Sequence, residues 1–326
     1  MQFIQEDPVT KIRALFDCAD PEWQSYLSPL TSYFSLTEYE FVVVTKEQVD
    51  AGENIRKAYD IIVKGNFGLK LSEYYTVGKP HIYISYERYD VAPNKDVPYS
   101  LRFSNVLQEE YSEIEDIIYL PYVSNFLVKG KYTNFSCIRT CSVAYCSSNT
   151  VPIREHAFNE FVLKFGEENC SSFGRCFGSY KSTNKRLEGD HKSKQLLNAL
   201  SNCKFMLCFE NADVPGYITE KIALAYRAGC IPIYLGADVV NEYFNSKSFI
   251  NLKNFNSVKS CVEYVYSLGD REIDNIRRQP IFIGDYGGFS NKVPQDLSIT
   301  NPSDDNVVKF RRWADKLVTK PINILL

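Results

Sequence analysis

The pattern of apolar and polar positions is most regular in the carboxy-terminal half of the chain. An apolar run at residues 205–209 has the length of a buried strand and ends abruptly at Glu210. A break at Pro215 is followed by apolar side chains at helical spacing as far as Gly229, and residues 230–235 are apolar again. This pattern predicts a strand, a crossover helix and a second strand, a unit whose two strands are nearly always parallel.

The amino-terminal half alternates strand-like and helix-like segments in the same way. The pattern predicts strands at residues 12–16, 39–45, 60–64 and 81–86, and a helix at residues 46–59. Strands that alternate with helices favour a parallel sheet covered by helices. We therefore expect an α/β protein with two Rossmann-like sheets.

The expected domain boundary follows the apolar run at residues 117–120, where Gly130 and neighbouring lysines mark a linker. This gives an amino-terminal domain at residues 1–125 and a carboxy-terminal domain at residues 126–305. The final segment, residues 306–326, is predicted to form an amphipathic basic helix around Trp313. Two placements are open for that helix: packing back on the amino-terminal domain, or contact with a membrane surface.

Composition narrows the class of protein. With 326 residues, 44% of them hydrophobic, the chain can bury two ordinary cores, and its net charge of -3 argues against a nucleic-acid partner. We find no signal peptide and no apolar stretch of about 20 residues, so we expect a cytoplasmic location. The ten cysteines lack zinc-like spacing and several lie in predicted strands, which favours reduced, buried thiols over disulfides.

Charged and aromatic residues gather where the crossover helix is predicted to begin, at Tyr217, Glu220 and Lys221. In a parallel unit this point lies at the carboxyl edge of the sheet, where open α/β folds bind ligands. Free backbone amides, the helix dipole and the Lys221 charge favour a phosphate there, whereas Glu220 is expected to accept hydrogen bonds from sugar hydroxyls. A nucleotide carries both groups, although a capped, solvated first turn explains the same pattern.

Several short runs around this helix carry a more specific signal. They are Phe209-Glu210-Asn211, Tyr217-Ile218-Thr219-Glu220-Lys221, Ala228-Gly229, Ile231-Pro232 and Leu235-Gly236. Together they closely resemble the donor-binding signature of the α-1,3/4-fucosyltransferases, and a match at many positions is more specific than a single short motif. The resemblance implies that this segment binds GDP-fucose, with Asn211, Tyr217, Glu220 and Lys221 as donor-binding residues.

Two arginines upstream extend the resemblance. Residues 171–178 read SSFGRCFG and are similar to the family's short element that carries an arginine between glycines, which makes Arg175 a candidate ligand of the diphosphate. Residues 145–154 are similar to the family's strand end and following helix, and Arg154 is a second, weaker phosphate candidate. A structural helix capped by residues 147–149 explains that segment equally well.

The catalytic base implied by the resemblance lies in the other domain. Family members carry a glutamate at the end of the strand that matches KPHIYISYE, which assigns the role of general base to Glu87. The family often follows this glutamate with Ser-Pro, but here it is followed by Arg88, Tyr89 and Asp90. Asp90 is therefore a rival base.

The resemblance implies the GT-B type of glycosyltransferase fold, with two Rossmann-like domains facing across a cleft. It implies an inverting transfer of L-fucose from GDP-fucose to N-acetylglucosamine or glucose in a glycan, in α-1,3 linkage, with acceptors such as N-acetyllactosamine or lactose. No metal cofactor is expected, since fixed cations would meet the charge on GDP. The alternatives are a transferase of the same fold that uses another nucleotide sugar, and a non-catalytic glycan-binding protein.

Overall fold

A computed structural model of the chain describes residues 9–17, 24–65, 71–76, 78–87, 101–107, 116–127, 139–187, 193–284 and 288–319. The chain divides into two compact units. Unit 1 consists of Met1–Pro121 with Gln295–Leu326, and unit 2 of Tyr122–Pro294. The predicted boundary after residue 125 lies close to this division, but residues 295–305, predicted as part of the carboxy-terminal domain, belong to unit 1.

Unit 1 contains a six-stranded parallel sheet flanked by helices. Its described elements are β1 (Lys11–Asp17), α1 (Gln24–Phe34), β2 (Glu40–Val44), α2 (Lys46–Asp50), β3 (Ile61–Gly65), α3 (Glu73–Thr76), β4 (His81–Ile84), β5 (Leu101–Ser104), β6 (Asp116–Tyr119) and α11 (Asp304–Thr319). The strand order is β2-β1-β3-β4-β5-β6, and every pairing is parallel. The four strands predicted in this half are confirmed, with ends that differ by one or two residues.

The helix predicted at residues 46–59 is wrong. Helix α2 ends at Asp50, and a separate 3-10 turn spans Ile55–Lys57. Two local features divide the segment: Gly52 follows the helix end, where glycine disfavours helix continuation, and the Asn54 side chain accepts a hydrogen bond from Lys57 N and so starts a new turn.

Helix α11 packs within unit 1 through its aromatic side chains. Phe310 and Trp313 are buried, and the Phe310 ring lies 4.9 Å from the Phe34 ring of α1 in an edge-to-face arrangement. The Arg311 guanidinium donates to Leu36 O from Nε at 2.8 Å, which holds the polar side of the helix to the turn after α1. Among the described residues, no helix combines the length and the apolar character needed to cross a bilayer.

Unit 2 is built around a second parallel sheet. Its described elements are α4 (Ser124–Leu127), β7 (Cys141–Ser147), α5 (Pro152–Phe165), β8 (Cys170–Gly174), α6 (Lys194–Leu200), β9 (Cys203–Phe209), α7 (Glu220–Arg227), β10 (Ile231–Leu235), α8 (Val240–Tyr243), β11 (Ile250–Asn251), α9 (Val258–Ser267), α10 (Asp270–Arg277), β12 (Phe282–Ile283) and β13 (Phe289–Ser290). Five strands pair in the order β11-β10-β9-β7-β8, all parallel, and β12 and β13 form a small antiparallel pair.

The strand, helix and strand predicted from the opening pattern are β9, α7 and β10, and β9 and β10 are parallel neighbours. Gly229 has φ 68°, the left-handed conformation that ends helices. Helix α5 buries Phe158, Phe161 and Val162 in the core of unit 2. All eight described cysteines are free and seven of them are buried, as the sequence indicated.

Candidate functional site

The carboxyl edge of the unit 2 sheet holds an open cavity of about 360 Å³. The chain leaves β7 for β8 on one side and then crosses to β9 on the other, so the strand order reverses at β7. Open α/β folds bind ligands at such a reversal. The cavity walls come from the ends of β7 and β8, from Asn211 after β9, and from the start of α7. Its volume falls in the range of about 300–1,000 Å³ that is typical of ligand pockets.

A buried carboxylate fixes the loop between β9 and α7. Glu210 follows the last residue of β9, and its side chain is 0% exposed. One oxygen accepts from Thr219 N at 2.8 Å, and the other accepts from the Thr219 hydroxyl at 2.7 Å and from Lys221 Nζ at 3.1 Å. Gly236 leaves room for it, because a Cβ there would lie 2.7 Å from Glu210 Cγ. Glu210 therefore sets where the first turn of α7 lies.

Lys221 supplies a positive charge to the cavity wall. Its Nζ donates to the Thr219 hydroxyl at 2.7 Å and lies 3.6 Å from a Glu220 oxygen. Burial alone would lower the pKa of Lys221, but the Glu210 and Glu220 carboxylates raise that pKa above the ordinary lysine value. The side chain is therefore a fixed cation at neutral pH, held between two carboxylates.

Arg154 supplies a second positive charge. It lies in the first turn of α5, is 1% exposed, and lines the same cavity. Its Nη2 donates to Asn211 Oδ1 at 2.5 Å and its Nη1 to the Ser147 hydroxyl at 3.2 Å. Its Nε has no hydrogen-bond partner among the described residues. A buried guanidinium with these few contacts joins the end of β7 to the residue after Glu210 and directs its charge toward the cavity.

The capping of α5 predicted for residues 147–149 is wrong. The residue that precedes the helix is Val151, which makes no capping bond, and Pro152 takes the first helical position. Ser147 instead bonds with Arg154, and its carbonyl oxygen accepts from Arg175 N at 2.9 Å. The polar residues after β7 thus line the cavity instead of capping the helix.

Arg175 lies on the loop that follows β8, and its side chain is exposed and does not line the cavity. The loop needs Gly174, which has φ 91° and whose Cβ would lie 2.5 Å from Ser147 O. Glu155 holds the other end of the loop by accepting from Gly178 N at 2.7 Å. The backbone of Arg175 is therefore anchored beside the cavity.

The remaining donor-binding candidates separate into two groups. Asn211 and Glu220 line the cavity together with Lys221 and Arg154. Tyr217 does not line it, and at 2% exposure it is part of the core. The structure thus brings four of the six carboxy-terminal candidates into one cavity.

Glu87 belongs to unit 1 and lies beyond the end of β4, partly exposed. Asn105, which follows β5 and is fully buried, donates from Nδ2 to Glu87 O at 3.2 Å. The backbone at Glu87 is therefore tied to the end of the neighbouring strand. Asp90 lies outside the described residues.

Sequence reasoning missed Glu210 as a site residue and underrated Arg154. The signal for Glu210 was present, because a carboxylate directly after a fully buried strand needs donors close in sequence, and Thr219 and Lys221 provide them. No comparable local signal identifies Arg154, because its partner Asn211 is distant in sequence.

Residues 139–275, which include every wall of the cavity, match the family described as glycosyltransferase family 10 (fucosyltransferase), C-terminal part. Most of unit 2 is thus similar to the carboxy-terminal domain of this family. Among curated relatives, the alpha-(1,3)-fucosyltransferase FucT of Helicobacter pylori is 41% identical over 85 residues, which is 25% of this chain and 18% of that protein. The human 4-galactosyl-N-acetylglucosaminide 3-alpha-L-fucosyltransferase 9 is 32% identical over 126 residues, 38% of this chain and 32% of that protein.

Solved structures extend the similarity to both units. A crystal structure of an alpha1,3-fucosyltransferase with GDP-fucose aligns with this chain at a TM-score of 0.62 and 16% identity. The alignment covers 98% of this chain and 94% of that one. The same comparison for another alpha1,3-fucosyltransferase crystal structure gives a TM-score of 0.64 and 15% identity. At these identities the match establishes the fold, which is of the GT-B glycosyltransferase type, as the sequence indicated.

Proposed function

We propose that the protein is an inverting fucosyltransferase that moves L-fucose from GDP-fucose to a hydroxyl of N-acetylglucosamine or glucose in a glycan, in α-1,3 linkage. The observation that carries the proposal is the cavity of unit 2. It holds two buried or half-buried cations, Arg154 and Lys221, beside the start of a helix, which is the arrangement that an anionic nucleotide needs.

The donor diphosphate is assigned to Lys221, Arg154 and the first turn of α7. Positive charges fixed at a departing diphosphate stabilise the negative charge that grows on it in the transition state. Arg175 is assigned as a third cation at the rim, supported by the anchoring of its backbone to Ser147 at 2.9 Å. We propose that these cations, and not a divalent metal, meet the charge on GDP, so that EDTA should leave the transfer rate unchanged.

Hydroxyl groups of the donor are assigned to Glu220 and Asn211. Glu220 is 20% exposed and lines the cavity, and a carboxylate beside a diphosphate is better suited to accept from sugar hydroxyls than to approach the phosphates. The Asn211 carbonyl oxygen already accepts from Arg154, which leaves its amide hydrogens for donor or acceptor. We assign Tyr217 no direct contact with the nucleotide, because it lies in the core.

Glu87 is proposed as the general base that removes the proton of the attacking acceptor hydroxyl. Its position after a parallel strand, with the backbone held by Asn105, suits a side chain that must be presented from a fixed place. A positioned base contributes about 100- to 10,000-fold to such a transfer. Glu87→Gln should therefore reduce turnover within that range and leave GDP affinity unchanged, whereas Asp90→Asn should leave turnover nearly intact.

The class of acceptor is proposed from one of the relatives. One relative is named for transfer to a 4-galactosyl-N-acetylglucosaminide. We therefore expect N-acetyllactosamine and lactose to serve as acceptors here.

The test is an assay of GDP release with GDP-fucose, followed by linkage analysis of products from N-acetyllactosamine, lactose and a type 1 isomer. Turnover of GDP-mannose without turnover of GDP-fucose would refute the choice of sugar. Glycan binding that needs neither GDP-fucose nor Glu87 would favour the non-catalytic alternative.

A further inference from the structure

Four cysteines lie at the amino ends of the unit 2 strands, whereas the cavity described above lies at the carboxyl ends. Cys141, Cys170 and Cys203 are the first residues of β7, β8 and β9, and Cys230 directly precedes β10. All four are free and buried. Parallel strands that each begin with cysteine bring the thiols to one edge of the sheet. Even so, no group of three or more potential ligands in the described part of the chain is arranged to hold a metal ion.

Two of these thiols are direct neighbours. Cys141 of β7 pairs with Cys203 of β9 in the sheet register. Paired residues on adjacent strands are separated by about 4.7–4.9 Å and point to the same face, within the Cα separation of about 4.4–6.8 Å that a disulfide spans. The Cys141 thiol donates to Val143 O at 3.5 Å and to Asn169 O at 3.6 Å. Cys141 and Cys203 line the same open cavity, so both thiols lie on one side of the two strands.

The two thiols differ in acidity and access. The neighbouring Cys203 thiol and the Lys185 charge lower the pKa of Cys141 against the opposing effect of burial. The same interaction and burial raise the pKa of Cys203, and burial raises those of Cys170 and Cys230. Cys141 is 8% exposed, Cys203 is 1% exposed, and both line an open cavity of about 220 Å³. Cys141 is thus the reachable nucleophile and Cys203 its resolving partner.

We propose that Cys141 and Cys203 form a reversible, peroxide-sensitive disulfide. The Cys141 thiolate attacks hydrogen peroxide, the O–O bond breaks, and the released hydroxide takes a proton to become water, which leaves a sulfenic acid on Cys141. The Cys203 sulfur then attacks the Cys141 sulfur, its proton and the departing hydroxide form a second water, and the S–S bond closes. Two thiols and one peroxide thereby become one disulfide and two waters.

The geometry also predicts that this disulfide is easily reduced. Directly paired positions in a parallel sheet hold Cβ atoms somewhat farther apart than the 3.5–4.5 Å that is typical of disulfides, so closing the bond strains the strand ends. Strained disulfides have higher reduction potentials and are the labile ones.

The thiol cavity shares two side chains with the proposed donor cavity. Phe173 and Leu187 line both. A disulfide that shifts the start of β7 or β9 therefore changes the packing of side chains that also face the donor. We expect oxidation to weaken GDP binding several-fold, and this second effect rests on the proposed function whereas the disulfide does not.

The experiment treats the reduced full chain with a small excess of hydrogen peroxide at pH 7.5 and maps the peptides by mass spectrometry without reduction. We expect one linked peptide pair containing Cys141 and Cys203, the loss of two titratable thiols, and recovery of both with dithiothreitol. Cys203→Ala should stop at a Cys141 sulfenic acid that dimedone traps, and Cys141→Ser should leave Cys203 unmodified. Cys261→Ser, a buried cysteine in α9 whose pKa is raised by burial, is the matched control and should behave as the unmodified chain.

The proposal is overturned if Cys141 stays reduced in the folded chain while exposed thiols react, or if it links to a different cysteine. A Cys141–Cys203 disulfide that leaves GDP affinity unchanged would overturn the coupling to the donor cavity. A reduced chain that does not bind GDP would instead count against the proposed function.

Discussion

Replacing Lys221 by methionine separates two roles of this side chain. The ammonium group pairs with the buried Glu210 carboxylate at 3.1 Å, and it also lines the cavity assigned to the diphosphate. Methionine keeps an unbranched, flexible chain but removes the charge. The double variant Glu210→Gln/Lys221→Met removes both charges, and comparing the two variants distinguishes the ion pair from the anion site.

The effect on stability follows from the burial of Glu210. Lys221→Met leaves a carboxylate whose side chain is 0% exposed without its countercharge, although Thr219 still donates two hydrogen bonds. Removing one partner of a buried pair typically costs about 3–5 kcal/mol, and we expect about 3 kcal/mol because of the remaining donors. The double variant leaves no buried charge at this position and should recover most of that loss.

The effect on GDP affinity should be equal in the two variants. A charge-assisted hydrogen bond contributes about 1.5–3 kcal/mol, so its loss should raise the dissociation constant for GDP roughly 10- to 150-fold. Restoring stability in the double variant does not restore the lost cation, so its affinity should stay low.

Urea unfolding gives the stability and titration calorimetry with GDP gives the affinity. Lys204→Met is the matched control, because Lys204 makes an exposed ion pair with Asp270 at 3.0 Å in the same unit and should change neither quantity by much. Wild-type GDP affinity in either Lys221 variant would remove Lys221 from the diphosphate site. Wild-type stability in the single variant would refute the buried pair.

Three further predictions concern other parts of the two units. Arg154→Lys keeps the charge but loses the fork that reaches Asn211, so calorimetry should show GDP binding at least about tenfold weaker, and unchanged binding would exclude Arg154 from the site. Gly174→Ala, with φ 91° and a carbonyl oxygen 2.5 Å from the new Cβ, should lower the free energy of unfolding by about 1–3 kcal/mol in urea, whereas Gly269→Ala, whose nearest atom lies at 3.6 Å, should not. Burial lowers the pKa of His81 from 6.5 to about 3, so the stability that depends on its neutral form is lost as pH falls from 6.5 toward 3. In His81→Gln the free energy of unfolding should therefore fall less steeply over this pH range. The same dependence on pH in both proteins would contradict the lowered pKa of His81.

Local pattern was sufficient for the part of the fold that surrounds the cavity. The fully apolar run before Glu210 and the left-handed glycine at Gly229 each have a direct local cause, so β9, α7 and β10 could be predicted. The predicted helix at residues 46–59 failed because pattern weighs a whole window, whereas Gly52 and the Asn54 side chain act at single positions.

The site was predictable where its residues are close in sequence. Asn211, Glu220 and Lys221 follow one strand and meet in one cavity. Arg154 was ranked below Arg175 because the glycine-flanked motif is visible in the sequence, whereas the contact between Arg154 and Asn211 forms only when β7 and β9 pair. Tyr217 fits the motif equally well and is nevertheless buried in the core, since sequence position alone does not determine which side of a helix start faces the ligand.

The return of the chain to unit 1 after residue 294 has a consequence for biosynthesis. Unit 2 is one continuous stretch, but unit 1 needs α11, whose Phe310 packs against Phe34 more than 270 positions earlier in the chain. A ribosome therefore releases all of unit 2 before it delivers the helix that covers the aromatic surface of α1. We expect unit 2 to fold during translation, and the aromatic surface of α1 to stay uncovered until α11 emerges.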